Sequence, residues 1–452
     1  MKIVIIGDGK VGHKLAVQLS EENYDITLID QNEGKLKEAL NEMDIFCITG
    51  NGADAEIMKQ ADVPRADLVI ACASTDEMNM LSCLIARRLG AKHTIARVRN
   101  PIYYRQIGML KEDLQLSMAV NPELAASNEI LRILLFPEAN KVETFMKGRV
   151  ELVEYALGSD QPLTDLSLAE VYRKFQIKIL VCAVKRGKEV YIPDGNFVLR
   201  EGDRIHIAAG HQDLKTFFKS LGRKNAKVKK VIICGGGHVC FYLAAQLLKV
   251  GMQVKIIERN EKRCEELCEL LPKATILHGN AADHDLLLEE GIGDADAFVA
   301  LTGMDEENII MAFFAKTIGV PKIIAKVNED MRAQMIEGLG IDSIVSAKSA
   351  TADEIMGYVR ARNNSYSSAN VETMYHLVQG KVEALEFIIK KECEYTQMSL
   401  KDLPIKKNNL IACIGRKRDV IIPNGDDHLE AGDSVIVVTK DHIVSSFRDI
   451  LG

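Results

Sequence analysis

The sequence predicts an α/β fold made by tandem duplication: a Rossmann-like parallel-sheet domain followed by a small α+β domain, the pair occurring twice in 452 residues. Three observations carry that prediction. Gly7-Asp8-Gly9-Lys10-Val11-Gly12 directly follows the apolar run Ile3–Ile6, and Gly235-Gly236-Gly237-His238-Val239-Cys240 follows Val231–Cys234, an offset of 228 positions. The same offset carries Asp30 onto Glu258, each acid closing a second apolar run. Each such region then gives way to a shorter, hairpin-rich stretch whose turns also repeat.

In the first half, strands are expected over Lys2–Ile6, Asp25–Asp30, Ile45–Thr49, Leu68–Cys72 and Thr94–Val98, and helices over Val11–Glu21, Glu33–Asn41, Asp54–Ala61 and Glu77–Leu89. Continuous apolar strands alternating with amphipathic helices imply a parallel sheet covered on both faces. Pro122–Leu135 reads as a crossover helix leading out of the domain. The next stretch changes character: Val150–Ala156, Ile179–Lys185, Glu189–Ile192 and Arg204–Ala208 are short strands separated by turns such as Pro193-Asp194-Gly195 and Glu201-Gly202-Asp203. The pattern then restarts. Five strands (Lys229–Ile233, Gln253–Glu258, Thr275–His278, Ala297–Leu301, Lys322–Val327) and a crossover helix Ser349–Arg362 repeat the first region, and Pro423-Asn424-Gly425 with Ala431-Gly432-Asp433 repeat the turns. The expected domains are 1–137, 138–222, 228–363 and 370–452, with a flexible join at Ser365–Ser368.

Composition narrows the function. Hydrophobic residues are 47% and charged residues 27%, an ordinary globular mixture. A net charge of −7 gives no electrostatic reason to seek nucleic acid, and the basic cluster Arg223-Lys224 to Lys229-Lys230 reads as a solvated linker. No apolar run is long enough to span a bilayer, and the chain opens on a strand rather than a signal peptide, so no direct membrane insertion is expected. Ten scattered cysteines, several in strand-like runs, fit reduced thiols rather than a disulfide framework, and the Cys264/Cys268 pair has no companions for a zinc site. No metal or catalytic residue is assigned.

A lone glycine fingerprint is weak, but this one follows a strand, opens a helix and has an acid 18 positions after Gly12. Gly7 permits the tight turn, Gly9 lets backbone approach a pyrophosphate, and Gly12 allows close packing of helix on strand. Phosphates would rest at the helix N-terminus among Asp8, Lys10 and Val11. Asp30, with Gln31 beside it, would take the ribose hydroxyls and disfavour a 2′-phosphate, which predicts NAD(H), with ATP or ADP as alternative occupants. In the second copy Gly235, Gly237, His238 and Val239 form the loop, Glu258 keeps the carboxylate, Arg259 is placed to stack on adenine or meet a phosphate, and Cys240 replaces the third glycine. Further repeated pieces extend each site. Asn51 and Gly52 match Asn280 and Ala281 after the third strand; Ser74, Thr75 and Asp76 lie after the fourth, with Thr302 opposite; Arg97 matches Lys326 at the end of the fifth. Ser74 or Thr75, and Thr302, are expected to cap the following helices.

These segments (GDGKVG, GNGAD, STDEMN and ARVRNP, each followed by a small hairpin domain) resemble the regulator-of-potassium-conductance (RCK/KTN) family over essentially the whole chain. The resemblance implies a cytoplasmic protein that binds NAD(H) or ATP/ADP and assembles into a homo-oligomeric ring. It implies further that the ring docks peripherally, through protein contacts, on a potassium-translocating membrane subunit of the Trk type and changes its gating. Cys240 departs from the family's glycine loop. The alternative is an NAD-dependent dehydrogenase. That reading needs a proton-transfer group in a second domain, and His206, His211, His376, His428 and His442 form no recognisable catalytic constellation. No P-loop GxxxxGK[ST] is present.

Overall fold

A computed structural model describes residues 1–158, 161–222, 227–329, 341, 343–363, 371–392, 394–440, 444 and 446–452. The expected join at Ser365–Ser368, the start of the basic cluster (Arg223, Lys224) and His442 lie outside the described residues. The chain divides into two compact units, each drawing on both halves of the sequence. Met1–Ile130 with Lys230–Met356 holds the two fingerprints, and Leu131–Lys229 with Gly357–Gly452 holds the two small sheets.

In the first unit, β1 (Lys2–Ile6), α1 (Lys10–Glu21), β2 (Asp25–Asp30), α2 (Glu33–Glu42), β3 (Phe46–Thr49), α3 (Ala55–Gln60), β4 (Leu68–Ala71), α4 (Asp76–Leu89), β5 (His93–Arg97), α5 (Pro101–Asp113), β6 (Met118–Val120) and α6 (Pro122–Leu135) follow in order. The parallel sheet runs β3-β2-β1-β4-β5-β6, so strand order reverses at β1 and the glycine loop leaves the sheet at that crevice. Ile3–Ile6 and Leu68–Ala71 are buried throughout, as strands covered on both faces must be. The sheet has six strands where five were expected. β6 is three residues long, too short to show a period, and α5 buries no residue fully, its apolar face of Tyr103, Tyr104 and Ile107 being only partly covered.

The small domain contains β7 (Lys141–Phe145), β8 (Val150–Ala156), α7 (Leu168–Phe175), β9 (Ile179–Arg186), β10 (Glu189–Tyr191), β11 (Arg204–Gly210) and α8 (His211–Ser220), with antiparallel order β10-β9-β11-β8-β7. The second Rossmann copy then runs through β12 (Lys230–Cys234), α9 (His238–Lys249), β13 (Gln253–Glu258), α10 (Glu261–Leu270), β14 (Thr275–His278), α11 (His284–Glu289), β15 (Ala297–Ala300), α12 (Asp305–Ile318), β16 (Lys322–Lys326), β17 (Ser343–Val345) and α13 (Ala347–Asn363). Its sheet, β14-β13-β12-β15-β16-β17, repeats the first. The second small sheet has β18 (Val371–Leu377), β19 (Val382–Ile388), β20 (Asn409–Arg416), β21 (Asp419–Ile421) and β22 (Ser434–Lys440), ordered β18-β19-β22-β20-β21 as in its counterpart. The repetition is incomplete, however: among the described residues neither α7 nor α8 has an α-helical counterpart in the second small domain.

Like packs with like. Phe145, Val150, Leu152, Cys182 and Ala208 of the first small sheet share one apolar core with Leu377, Val382, Ala384, Ala412, Ile436 and Val438 of the second. In the first unit, Asn121 Nδ2 donates to the Tyr242 hydroxyl (3.0 Å) and Gln246 Nε2 to Asn128 Oδ1 (2.7 Å), tying α6 of one copy to α9 of the other. The repeated turns also have a physical cause. Asp203, fully buried, accepts two bonds from the Arg186 guanidinium (2.7 Å each) and one from the Arg200 N–H (2.8 Å). Asp433 does the same with Arg416 (3.0 and 2.8 Å) and the Glu430 N–H (2.7 Å). Removing one partner of a buried pair strands the other. Asp203→Ala should therefore cost the small domain about 3 kcal/mol in urea unfolding, and a loss under about 1 kcal/mol would reduce the motif to an ordinary turn.

Candidate nucleotide site

Each glycine loop connects a buried strand to a helix whose first N–H groups lack intrahelical partners. Gly7 and Gly235 adopt φ of +99° and +100°, and a Cβ on Gly7 would lie 2.8 Å from the Ala73 backbone. Gly9 and Gly237 face open space, with nothing within 4 Å of a would-be Cβ. That pairing, a forced turn and then an open approach to a helix N-terminus, is what a pyrophosphate needs, so the residues present fit a dinucleotide. A Cβ on Gly12 would stand 1.9 Å from the Gly7 carbonyl oxygen.

The acids are held identically. Asp30 Oδ2 accepts the Asp8 N–H (2.6 Å) and Oδ1 the Asn32 N–H (2.8 Å); Glu258 accepts the Gly236 N–H (2.6 Å) and the Asn260 N–H (2.8 Å). Each carboxylate thus lies beside its glycine loop with lone pairs left for ribose hydroxyls. The second loop keeps the first loop's bonds despite Cys240: Gly235 N–H donates to Ile257 O (2.9 Å), as Gly7 N–H does to Ile29 O (2.8 Å). The thiol is fully buried, and burial pushes its pKa up.

The remaining predicted residues take varied places. Lys10, Gln31, His238 and Arg259 are exposed around the loops, while Val11 and Val239 anchor the helices in the core. Asn51 and Asn280 accept their own turns' N–H groups (Ala53, 3.0 Å; Ala282, 3.1 Å). Gly52 is buried because a Cβ would meet Ile6 Cγ2 at 2.1 Å; the second copy pairs the smaller Cys234 with Ala281 in one core. Ser74 is exposed, and Thr75 caps α4 by accepting the Met78 N–H (3.2 Å). Thr302 does not cap α12, contrary to expectation. Met304 holds the cap position, and the Thr302 hydroxyl bonds Asn308 Oδ1 (2.8 Å) instead. Asp76 accepts the Arg99 and Asn100 N–H groups (2.9 and 2.7 Å), latching the loops after β4 and β5 together. Arg97 donates to Ala73 O (2.5 Å) and keeps a buried, unpartnered Nε, and Lys326 Nζ lies 3.4 Å from Leu301 O. Burial lowers the Lys326 pKa; Asp305 and Glu123 oppose that shift, and Lys10 and Arg99 add to it.

Several groups escaped the sequence reading. Fully buried Asn79 donates to Ala73 O and Arg97 O and accepts the Ala73 N–H (2.6 Å); Asn308 repeats the knot. Arg99 pairs with Glu123 at 2.6 Å, and these two with Asp76 lie close enough to act on the charge of His238 in the other copy's loop. Their signal, the ARVRNP segment, was present, but nothing in one copy's spacing indicates contact with the other. Of the five histidines weighed for catalysis, three are engaged with carboxylates: His211 with Glu151 (2.8 Å), His428 with Glu430 (3.3 Å), and buried His206 3.8 Å from Glu154; the His376 side chain and His442 lie outside the described residues. Among the described residues no His/Cys/Asp/Glu cluster could hold a metal, and no helix is long and apolar enough to cross a membrane.

Two Rossmann copies with matched glycine loops and braced acids, each followed by a small antiparallel domain, define a tandem Rossmann protein with two candidate nucleotide sites. The TrkA-N domain family matches residues 3–122 and 231–347, and the TrkA-C domain family matches 152–222 and 384–452. The chain is 31% identical over the full length of both proteins to a Trk system potassium uptake protein TrkA homolog of Archaeoglobus fulgidus. It is 32% identical to the Trk system potassium uptake protein TrkA of Halomonas elongata, covering 98% of this chain and 96% of that one. Among solved structures, the GsuK channel bound to NAD superposes with a TM-score of 0.64 at 18% identity, over 97% of this chain and 77% of that one. The chain belongs to the TrkA family of potassium uptake proteins.

The 1.9 Å approach at Gly12 makes a concrete demand. Gly12→Ala should destabilise the first copy by about 1–3 kcal/mol through overpacking. Cys240→Gly, measured by the same thermal melt, should shift the protein by less, because its loop already accommodates a side chain.

Proposed function

We propose that this chain is a nucleotide-sensing regulatory subunit. It binds NAD(H), or alternatively ATP or ADP, in both Rossmann copies, and it gates a potassium-translocating membrane subunit of the Trk type from the cytoplasmic face. The observation that carries the reading is the duplicated acid: Asp30 and Glu258 make the same pair of backbone bonds beside the same open glycine loop. A scaffold would not need that arrangement twice. The relatives' names support the potassium-uptake role, and the NAD bound by the GsuK channel supports the ligand.

Ligand would act by binding one conformation of the paired copies better than another, since only a difference in affinity shifts an equilibrium. The division between compact units falls inside α6, after Ile130, and inside α13, after Met356. Those two helices are accordingly our candidates for carrying the change onward. Ring assembly would use apolar residues left in solvent at matched places, Leu81 on α4 and Ile310 on α12, with Phe313 one turn further.

Calorimetric titration of NADH, NAD, ATP and ADP into wild type, Asp30→Ala and Glu258→Ala tests the reading. Each substitution should weaken one binding event by about 1.5–3 kcal/mol, roughly 10- to 150-fold in Kd, and spare the other. Binding of every nucleotide without change in potassium flux through the reconstituted partner would refute regulation. Dehydrogenase turnover on any substrate panel would revive the enzyme.

A further inference from the structure

The two glycine loops differ most at their second position. In the second copy it is Gly236, where a Cβ would stand 2.7 Å from Leu267 Cδ1 and 3.1 Å from Glu258 Cγ. The first copy has Ala39 at the place matching Leu267, and Asp8 at the second position of the loop. Its carboxylate is almost fully enclosed, 2% exposed, with Oδ1 3.0 Å from His13 Nδ1; His13 Nε2 in turn lies 3.0 Å from Glu42. Besides His13 on α1, the groups whose charge Asp8 feels or affects are Asp30 on β2, Lys35 on α2 and the Cys47 thiol on β3. In the second copy Phe241 and Leu270 replace His13 and Glu42, and the Arg263 guanidinium donates to Gly236 O at 2.7 Å. Both loops therefore have a basic residue at one matched place, Lys35 and Arg263, but only the first carries an enclosed acid between its ribose-binding carboxylate and its open helix N-terminus.

We propose that Asp8 is a specificity-determining residue of the first site, selecting the doubly charged pyrophosphate of a dinucleotide over the more highly charged chain of a nucleoside triphosphate, a selection the second site lacks. This rests on the nucleotide-site reading above. Each extra negative charge on a ligand near Gly9 is repelled by an acid that water cannot screen fully, while His13 holds that acid in place. The preference arises from charge and not from contact, because the Asp8 carboxylate is almost fully enclosed and is held by His13 of α1.

The test titrates NADH, and ATP free of divalent cation, into the full chain with the second site weakened by Glu258→Ala, so that the tighter binding event reports the first site. In that background Asp8→Asn should raise ATP affinity relative to NADH roughly tenfold, and Asp8→Gly should do the same. A change in both affinities by one factor, or a shifted ratio in Asp8→Gly but not in Asp8→Asn, would make Asp8 a structural residue and overturn the proposal. A further Asp30→Ala separates the two claims. If it leaves both affinities unchanged, the site reading itself fails; if it weakens both roughly tenfold or more while Asp8→Asn leaves the ratio within about twofold, only the assignment of Asp8 fails.

Discussion

Everything about the two candidate sites depends on one contact made twice: a carboxylate at the end of the second strand accepting the N–H of the glycine loop's second residue, at 2.6 Å in both copies. A charge-assisted bond of this kind is short and geometrically strict. It sets the acid beside the loop, so the distance from the carboxylate to the open helix N-terminus is built into the fold. Behind it, Asn79 and Asn308 fasten the loops after the fourth and fifth strands to each other with no exposed surface at all. The crevice is therefore rigid along its inner wall.

Within that frame the copies have diverged by compensated exchange. Ile6 leaves room only for Gly52, whereas Cys234 admits the methyl of Ala281. Leu267 requires Gly236, whereas the first copy has the smaller Ala39 at the matching place and Asp8 in the loop. Close packing explains why these changes come in pairs, since a single enlargement would force the backbone apart. The exchange of Gly12 for Cys240 is different in kind: the loop bonds persist, and nothing in the structure explains how the thiol is accommodated.

Much of this was legible in the sequence for physical reasons. Continuous buried runs such as Ile3–Ile6 and Leu68–Ala71 announce a parallel sheet, and the forced φ at Gly7 and Gly235 needs glycine wherever the turn occurs. What escaped was short, or lay between copies. β6 and β17 have three residues each, and the apolar face of α5 is only partly buried. β7 and α7 lie in a domain where hairpin turns dominate the pattern. Thr302 looked like a cap because threonine usually is one; its hydroxyl serves Asn308 instead. The ties across copies, Asn121 to Tyr242 and Gln246 to Asn128, join residues more than a hundred positions apart that no local period connects.

The pairing of like with like gives the duplication a consequence that two separate chains would not share. In a symmetric pair of identical domains, any cation placed near the partner's loop must appear twice, so both loops see the same charges. Within one chain the constraint is lifted. Arg99, whose N–H is held by Asp76, has Asn328 as its counterpart, held in the same way by Asp305. Glu123, second residue of α6, has Lys348 at the matching place in α13. The acid that pairs with Arg99 and acts on His238 is thus a basic residue at the other site. Two loops with the same backbone geometry consequently have different charged neighbours, and a difference in charge at matched geometry is the kind that would separate ligands by charge rather than by fit.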